Sequence, residues 1–498
     1  MDPIVAVTGG RVSGRIVNGV SVFLGIPYAA APVGAARFAP PAPPAAWDGI
    51  RPAVEFGATC MQSPYPPAIA EILGSDHIPG AEYLNVNVWT PDTDARGLPV
   101  MVWIHGGAFT RGANSRTAYD GAAFARDGVV LVSVNYRLGV SGFAVLDGAP
   151  ANRGLRDQIY ALEWVRDNIE AFGGDPANVT VFGESAGGIS VAALLAAPPA
   201  RGLFAKAIVQ SGTARMAATA ADGRLVGAEL AAVLGIPATA EAFADVEPAA
   251  LLAAQETLSA QYLADPDPKR WGPSIVSSGL GITCLFPVLD GEVLTGDVLE
   301  SVAAGAAANV PLLLGYTAEE FRLFLVPTGI AALVNAEALP VMLTRYGLDP
   351  ALGEIYAADR PEAAPGDLLA AILTDHAFRA PTMELADAQS ATGAPVHVYE
   401  FGWRRTDRDL GAMHALEIPF VFDTLAGAAP LTGPGAPQQL ADTMHAAWVA
   451  FAQSGDPGWE PHNPRTRPVM TFDHPRSALA YAPRAKELAA LVDGDPPR

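Results

Sequence analysis

Five apolar runs constrain this chain more than any other feature: Val100 to Ile104, Val129 to Val134, Val179 to Phe182, Ala207 to Val209 and Pro311 to Leu314. Each is free of charge and too short to be a helix. A strand with one wet face alternates apolar and polar residues, and these do not, so they predict strands of a mainly parallel sheet covered on both faces. Between the second and third runs, Leu155, Ile159, Leu162, Val165 and Ile169 recur at helical spacing, with Arg156, Asp157, Glu163 and Arg166 off that stripe. That is the pattern of a crossover helix. Strand and helix alternate as in a doubly wound α/β fold, in which ligands sit beyond the carboxyl ends of the strands. Ahead of this core, residues 4 to 24 alternate around Gly9-Gly10 and Asn18-Gly19 and read as short antiparallel strands, and Pro40 to Trp47 reads as irregular surface chain.

Two stretches break the alternation, at about 213–282 and 325–390. Both are rich in Ala and Leu and punctuated by Pro and Gly, so they predict helical insertions, as a lid or pocket wall or as decoration of the core. With 498 residues, half of them hydrophobic, the chain can bury a large core. Its 52 acidic against 31 basic residues give a net charge of -21, which repels phosphate backbones and anionic lipid and excludes nucleic acid as the expected partner. The charge is otherwise read as solubility. Cys60 and Cys284 are the only cysteines, too few for a disulfide framework or a Cys-rich zinc site. The N-terminus shows no basic and then apolar leader pattern, and the uncharged stretch Ser185 to Ala200 is short for a bilayer span. A soluble, cytoplasmic protein without membrane association is expected. Three lysines among abundant Arg and Ala suggest a high-GC bacterial source.

The chemistry lies after the third apolar run, where Gly183-Glu184-Ser185-Ala186-Gly187-Gly188 leads into the helical run Ile189 to Leu195. This is G-x-S-x-G in its required strand, turn and helix context. The turn must be sharp, and residues larger than glycine on either side of the serine would meet crowded backbone. Ser185 is thereby predicted as an exposed nucleophile at a helix N-terminus, with the Ala186 N–H facing the position of an oxyanion. Upstream, His105-Gly106-Gly107-Ala108-Phe109 follows the first run as a small-residue loop whose N–H groups can face a carbonyl oxygen, with His105 structural.

Further blocks accompany these: Phe172-Gly173-Gly174-Asp175-Pro176, Gln210-Ser211-Gly212, Gly25-Ile26-Pro27-Tyr28, Arg37-Phe38, Leu84 to Pro91, Asn135-Tyr136-Arg137-Leu138-Gly139, Pro287 to Gly291 and Gly455-Asp456-Pro457. Across nearly its whole length the chain resembles the type-B carboxylesterase/lipase family, whose members include bacterial para-nitrobenzyl esterases and the cholinesterases. The resemblance implies an α/β-hydrolase fold, a single catalytic domain over residues 1–498 with the two helical insertions, and a serine carboxylesterase that needs no metal or organic cofactor. It also implies His414, in Gly411 to Phe420, as the base. His77, His376, His397, His445, His462 and His474 lack such a frame and read as structural. The acid falls in Gly315-Tyr316-Thr317-Ala318-Glu319-Glu320-Phe321, where Glu320 matches the family position; Glu319 stands in place of the family's Asp and Phe321 in place of its Gly, so Glu319 remains the alternative. The order Ser185, Glu320, His414 is that of the hydrolase fold. Carried over position by position, the oxyanion hole is Gly107, Ala108 and Ala186, and the pocket residues are Gly106, Phe109, Glu184, Leu285 and Phe324.

Departures from the family bear on substrate. Tyr83 stands where extracellular members have the cysteine that pairs with the counterpart of Cys60. Residues 61–82 hold no tryptophan to face a choline ammonium, and Gly281 to Leu285 hold no aromatic to narrow an acyl pocket. The expected substrates are short to medium acyl or aryl esters. Lipase, amidase or carbamate hydrolase and synthetic-ester hydrolase remain alternatives on the same machinery. A non-catalytic cholinesterase-like binding protein is the alternative of another class, and the sequence leaves the oligomeric state open.

Overall fold

The computed structural model describes residues 2–75 and 77–494. Eleven strands among them form one sheet. In chain order these are β1 (Arg15–Val17), β2 (Val20–Pro27), β3 (Asn85–Thr90), β4 (Leu98–Ile104), β5 (Val130–Val134), β6 (Gly174–Glu184), β7 (Lys206–Gln210), β8 (Leu312–Thr317), β9 (Val396–Phe401), β10 (Pro468–Phe472) and β11 (Ala478–Tyr481). Across the sheet they run β11-β10-β9-β8-β7-β6-β4-β5-β3-β2-β1. From β10 to β5 every neighbouring pair is parallel, and antiparallel strands close both ends. The uniform apolar runs have a direct cause: in β4, Val100, Val102 and Ile104 enter the core on one face while Met101 and Trp103 enter the core on the other.

The order also places the site. The chain leaves β4 to build β5 on one side, then crosses back to build β6 on the other, so the connections after β4 and β6 diverge. Ligands bind at such switch points. The loop after β4 and the turn after β6 therefore open beside each other, with Ile104 paired to Gly183 at the strand ends.

Helix α1 (Arg153–Asn168) is the predicted crossover, with Leu155, Ile159, Leu162 and Val165 buried. Asp157 departs from the expected polar face. It is fully buried and takes a bidentate pair from Arg137 at 2.7 and 2.8 Å, and the Arg137 guanidinium also donates to the Arg37 and Ala39 carbonyls. The pairing partner comes from another segment, so periodicity within the helix cannot report it. Helix α2 (Ala186–Ala196) has every residue buried, as befits a helix apolar on all sides at the centre of the molecule.

The stretch 213–282 carries α3 (Ala220–Leu234) and α4 (Pro248–Ala264). The Thr219 hydroxyl caps α3 by accepting from the Asp222 N–H at 3.1 Å, Gly235 ends it in the left-handed region, and Pro248 opens α4. The stretch 325–390 carries α5 (Ala338–Arg345), α6 (Pro365–Thr374) and α7 (Ala380–Ser390). A π-helical turn over Asp375–Arg379 joins the last two. Among the described residues no helix is long and apolar enough to cross a membrane.

Candidate active site

The turn between β6 and α2 holds Ser185 at φ 56° and ψ -124°, a conformation costly for a residue with a side chain. Its surroundings dictate the glycines. A Cβ on Gly187 would collide with the Ile104 carbonyl oxygen, and one on Gly183 would lie 2.6 Å from the Gly187 backbone. The Ser185 N–H donates to the Gln210 carbonyl at 2.9 Å and the Ser185 carbonyl accepts from Ile189 at 2.8 Å, so both flanks of the turn are anchored.

Beside it, Gly107, Ala108 and Phe109 all have positive φ, at 118°, 54° and 60°. Successive residues of this kind turn backbone N–H groups toward one concavity, an anion-binding arrangement. The loop is held by the Thr110 and Arg111 N–H groups on the Gly107 carbonyl, by Gly139 on the Phe109 carbonyl and by the Tyr136 hydroxyl on the His105 carbonyl. His105 is buried against Tyr136, and burial pushes its pKa down to about 4, so it is neutral and structural.

His414 follows β9 on a buried segment. Its Nδ1–H donates to Glu320 Oε2 at 2.5 Å, and Glu320 Oε1 accepts from the Thr317 N–H at 2.8 Å. Glu319 is turned elsewhere: it accepts from the Ala412 N–H at 2.9 Å and pairs with Arg404 at 3.1 Å. The structure thus brings Glu320 and not Glu319 to the imidazole. On the other side of the ring, His414 Nε2 lies 3.0 Å from Glu184 Oε1, and Phe324 and Phe378 flank it at 5.3 and 5.1 Å between ring centroids.

Three buried carboxyl groups act on this one imidazole, Glu184 and Glu320 in contact with it and Glu417 through its charge. Burial disfavours its cation, but Glu184 and Glu320 outweigh burial and push His414 up to about 9. Burial raises Glu184 to about 7 against the opposing pull of His414, with repulsion from Glu320 adding to it. Burial, and then repulsion from Glu184 and Glu320, raises Glu417 to about 8. Glu417 is wholly buried and accepts from the Gln210 side chain at 3.3 Å. These groups titrate as a unit.

Ser185, His414, Gly107, Ala108 and Ala186 all line one cavity of about 1330 Å³. Of the expected pocket residues, Gly106, Phe109, Glu184 and Phe324 line it as well. Leu285 does not. It is buried in the core with its N–H on the Thr283 hydroxyl, and Ile282 and Thr283 form the wall instead. His376, expected to be structural, lines the cavity through the π-helical turn, as does Phe378. Arg111, Arg116 and Tyr65 also line it, although no motif marks them. The only signals present in sequence are the position of Arg111 at the end of the glycine loop and that of Glu417 one helical turn after His414. Cys60 and Cys284 are both free and buried, and burial pushes both thiols up to about 12.

The model of the carboxylesterase family matches residues 1–490. The para-nitrobenzyl esterase of Bacillus subtilis (strain 168) is 39% identical over 490 residues, covering 94% of each chain. Among solved structures, a para-nitrobenzyl esterase superposes with a TM-score of 0.84 at 36% identity, covering 99% of both chains. The carboxylesterase of Geobacillus stearothermophilus does so with a TM-score of 0.85 at 35% identity, covering 98% of this chain and 99% of that one.

Proposed function

Because the chain belongs to the carboxylesterase family, with its α/β-hydrolase fold, and is a carboxylic ester hydrolase, we propose that Ser185, His414 and Glu320 act as nucleophile, base and acid on esters of short to medium acyl chains or aryl alcohols. The observation that carries this reading is the His414 ring: its Nδ1 is held by Glu320 and its Nε2 is turned to the residue preceding Ser185. Glu320 sets the tautomer that leaves Nε2 free to accept a proton. His414 takes the Ser185 proton as Oγ attacks the ester carbonyl, and the N–H groups of Gly107, Ala108 and Ala186 stabilise the tetrahedral oxyanion. The alcohol departs with that proton, and water, deprotonated by His414, releases the acid from the acyl-enzyme.

The chain works as one catalytic unit in which both helical insertions form the pocket wall, since Tyr262 and Ile282 from the first and Tyr346 and Leu373 from the second line the cavity. The absence of an aromatic at Gly281, Ile282 and Thr283 supports room for acyl groups beyond acetyl. We place the protein in the cytoplasm, where two distant buried thiols stay reduced. The test is hydrolysis of p-nitrophenyl esters from acetyl to octanoyl by the wild type and by Ser185→Ala. The wild type is expected to be active with a broad chain-length profile, and the variant to lose on the order of 10⁴-fold or more in kcat. Equal rates for the two would remove Ser185 from the chemistry, and turnover of acetyl esters alone would remove the wide pocket.

A further inference from the structure

The whole chain carries an excess of acid, 52 against 31, yet the described lining of the cavity holds four arginines, at 111, 116, 215 and 345, and two carboxylates, Glu184 and Asp297. Arg215 pairs with Glu384, and Arg345 donates to the Leu263 carbonyl at 2.5 Å. Arg111 differs. Among the described residues it meets no carboxylate at ion-pair distance, and its Nε is buried without an acceptor. Its guanidinium rests on the Tyr65 ring, 4.9 Å from the centroid, with the Arg116 guanidinium 5.6 Å from the same centroid.

Glu256 and Tyr65 favour the charged guanidinium from a distance, but neither outweighs burial, and a largely buried charge without a direct ion pair gains from a partner that arrives. Burial indeed holds the Arg111 pKa below the usual guanidinium range. The position is also built. Gln62 exchanges two hydrogen bonds with Gly112, at 2.6 and 3.0 Å, pinning the Tyr65 segment to the chain beside Arg111. The stem runs along the oxyanion loop: the Arg111 N–H donates to the Gly107 carbonyl at 3.0 Å, and a Cβ on Gly107 would lie 3.2 Å from Arg111 Cγ. A planar fork with open donors, fixed next to the loop that receives the ester carbonyl, is the group that recognises a carboxylate bidentately.

We propose that Arg111 binds a carboxylate carried by the substrate, so that this cavity prefers esters bearing a free carboxylate over neutral esters of the same size. This assignment rests on the acyl-enzyme chemistry proposed above and names the substrate class that chemistry serves. The carboxylate can belong to the acyl or to the alcohol moiety, and paired substrates separate the two. Monoethyl adipate against its half-amide, ethyl adipamate, reports the acyl side; 4-acetoxybenzoate against 4-acetoxybenzamide reports the alcohol side.

The expected result is a kcat/KM at least about tenfold higher for the anion in one pair. Arg111→Leu should abolish that preference by slowing the anion on the order of 10- to 100-fold while the neutral twin changes less than about threefold. Arg111→Gln, which keeps most of the stem, should do the same and serves if the leucine variant does not fold. Equal kcat/KM within both pairs for the wild type overturns the assignment. So does an equal loss on charged and neutral twins in both variants, which would make Arg111 a support of the loop. Inactivity toward all four compounds and toward p-nitrophenyl butanoate would overturn the esterase mechanism and this assignment with it.

Discussion

The ends of β4 and β6 and the helices that cover them line the same cavity by opposite means. At the strand ends, backbone meets backbone: the Ile104 carbonyl leaves no room for a side chain at Gly187, and three successive residues of the oxyanion loop sit at positive φ. In the covering stretches the wall is made of side chains such as Ile282, Thr283, Met342 and Tyr346. Some apolar groups there face solvent, with Leu333 80% and Val341 67% exposed. Chemistry that depends on placing N–H groups to within a fraction of an ångström belongs on the rigid strand ends, whereas the cover allows selectivity to be retuned by single side-chain changes.

The sharpest break is Gly187→Ala. The new methyl would press on β4 backbone, which cannot give way as a flexible side chain would, so stability should fall by about 3 kcal/mol, read as a lower urea midpoint at constant slope. Displacing the Ala186 N–H should also cost on the order of 10² in kcat toward p-nitrophenyl butanoate. A variant with unchanged midpoint and rate would show that the strand ends are as pliable as the cover.

Glu184→Gln tests the electrostatics of the strand ends. The base works as neutral imidazole, so activity rises with pH through the His414 titration. An anionic Glu184 favours the cation, and the amide does not. The acid limb of kcat/KM should therefore move to lower pH by about one unit, with a loss of about tenfold on the plateau because the imidazolium formed during attack loses a partner. A limb that moves upward would mean that Glu184 does not act on His414 through its charge.

On the covering side, Thr283→Phe should narrow the acyl pocket, lowering octanoyl relative to acetyl turnover by about tenfold while acetyl turnover changes only about twofold. Smallest of all, Leu333→Ser should leave stability within about 0.5 kcal/mol and leave activity unchanged. A large effect there would reveal that the exposed cover bears on the site.

What is legible in the sequence follows the same division. Ser185 and its glycines are local, since the strand, turn and helix that expose the serine are consecutive residues. The sheet is legible because burial on both faces removes polar residues from every position of a strand. Asp157 reads as a polar-face residue because one helix's periodicity cannot reveal an Arg137 contributed by another segment. Leu285 reads as a pocket residue only by its position in the family's frame, whereas the fold sends it into the core and leaves Ile282 and Thr283 in the wall. The choice between Glu319 and Glu320 hangs on which carboxyl points toward a histidine; Glu320 and His414 are 94 residues apart.

By itself, then, the order of residues determined the doubly wound sheet, the nucleophile turn and the expectation that His414 and Glu320 would meet it. The sheet and the turn rest on periodicity and on backbone sterics within a few residues, and His414 and Glu320 on the resemblance to the carboxylesterase family. Only the tertiary structure decided which glutamate holds His414, that Glu184 and Glu320 close on the two sides of one imidazole, that His376 reaches the cavity through a π-helical turn, and that Arg111 faces it without a direct ion pair. Each of these is a distance between segments remote in the chain, set by how strands and insertions pack rather than by the neighbours of any one residue.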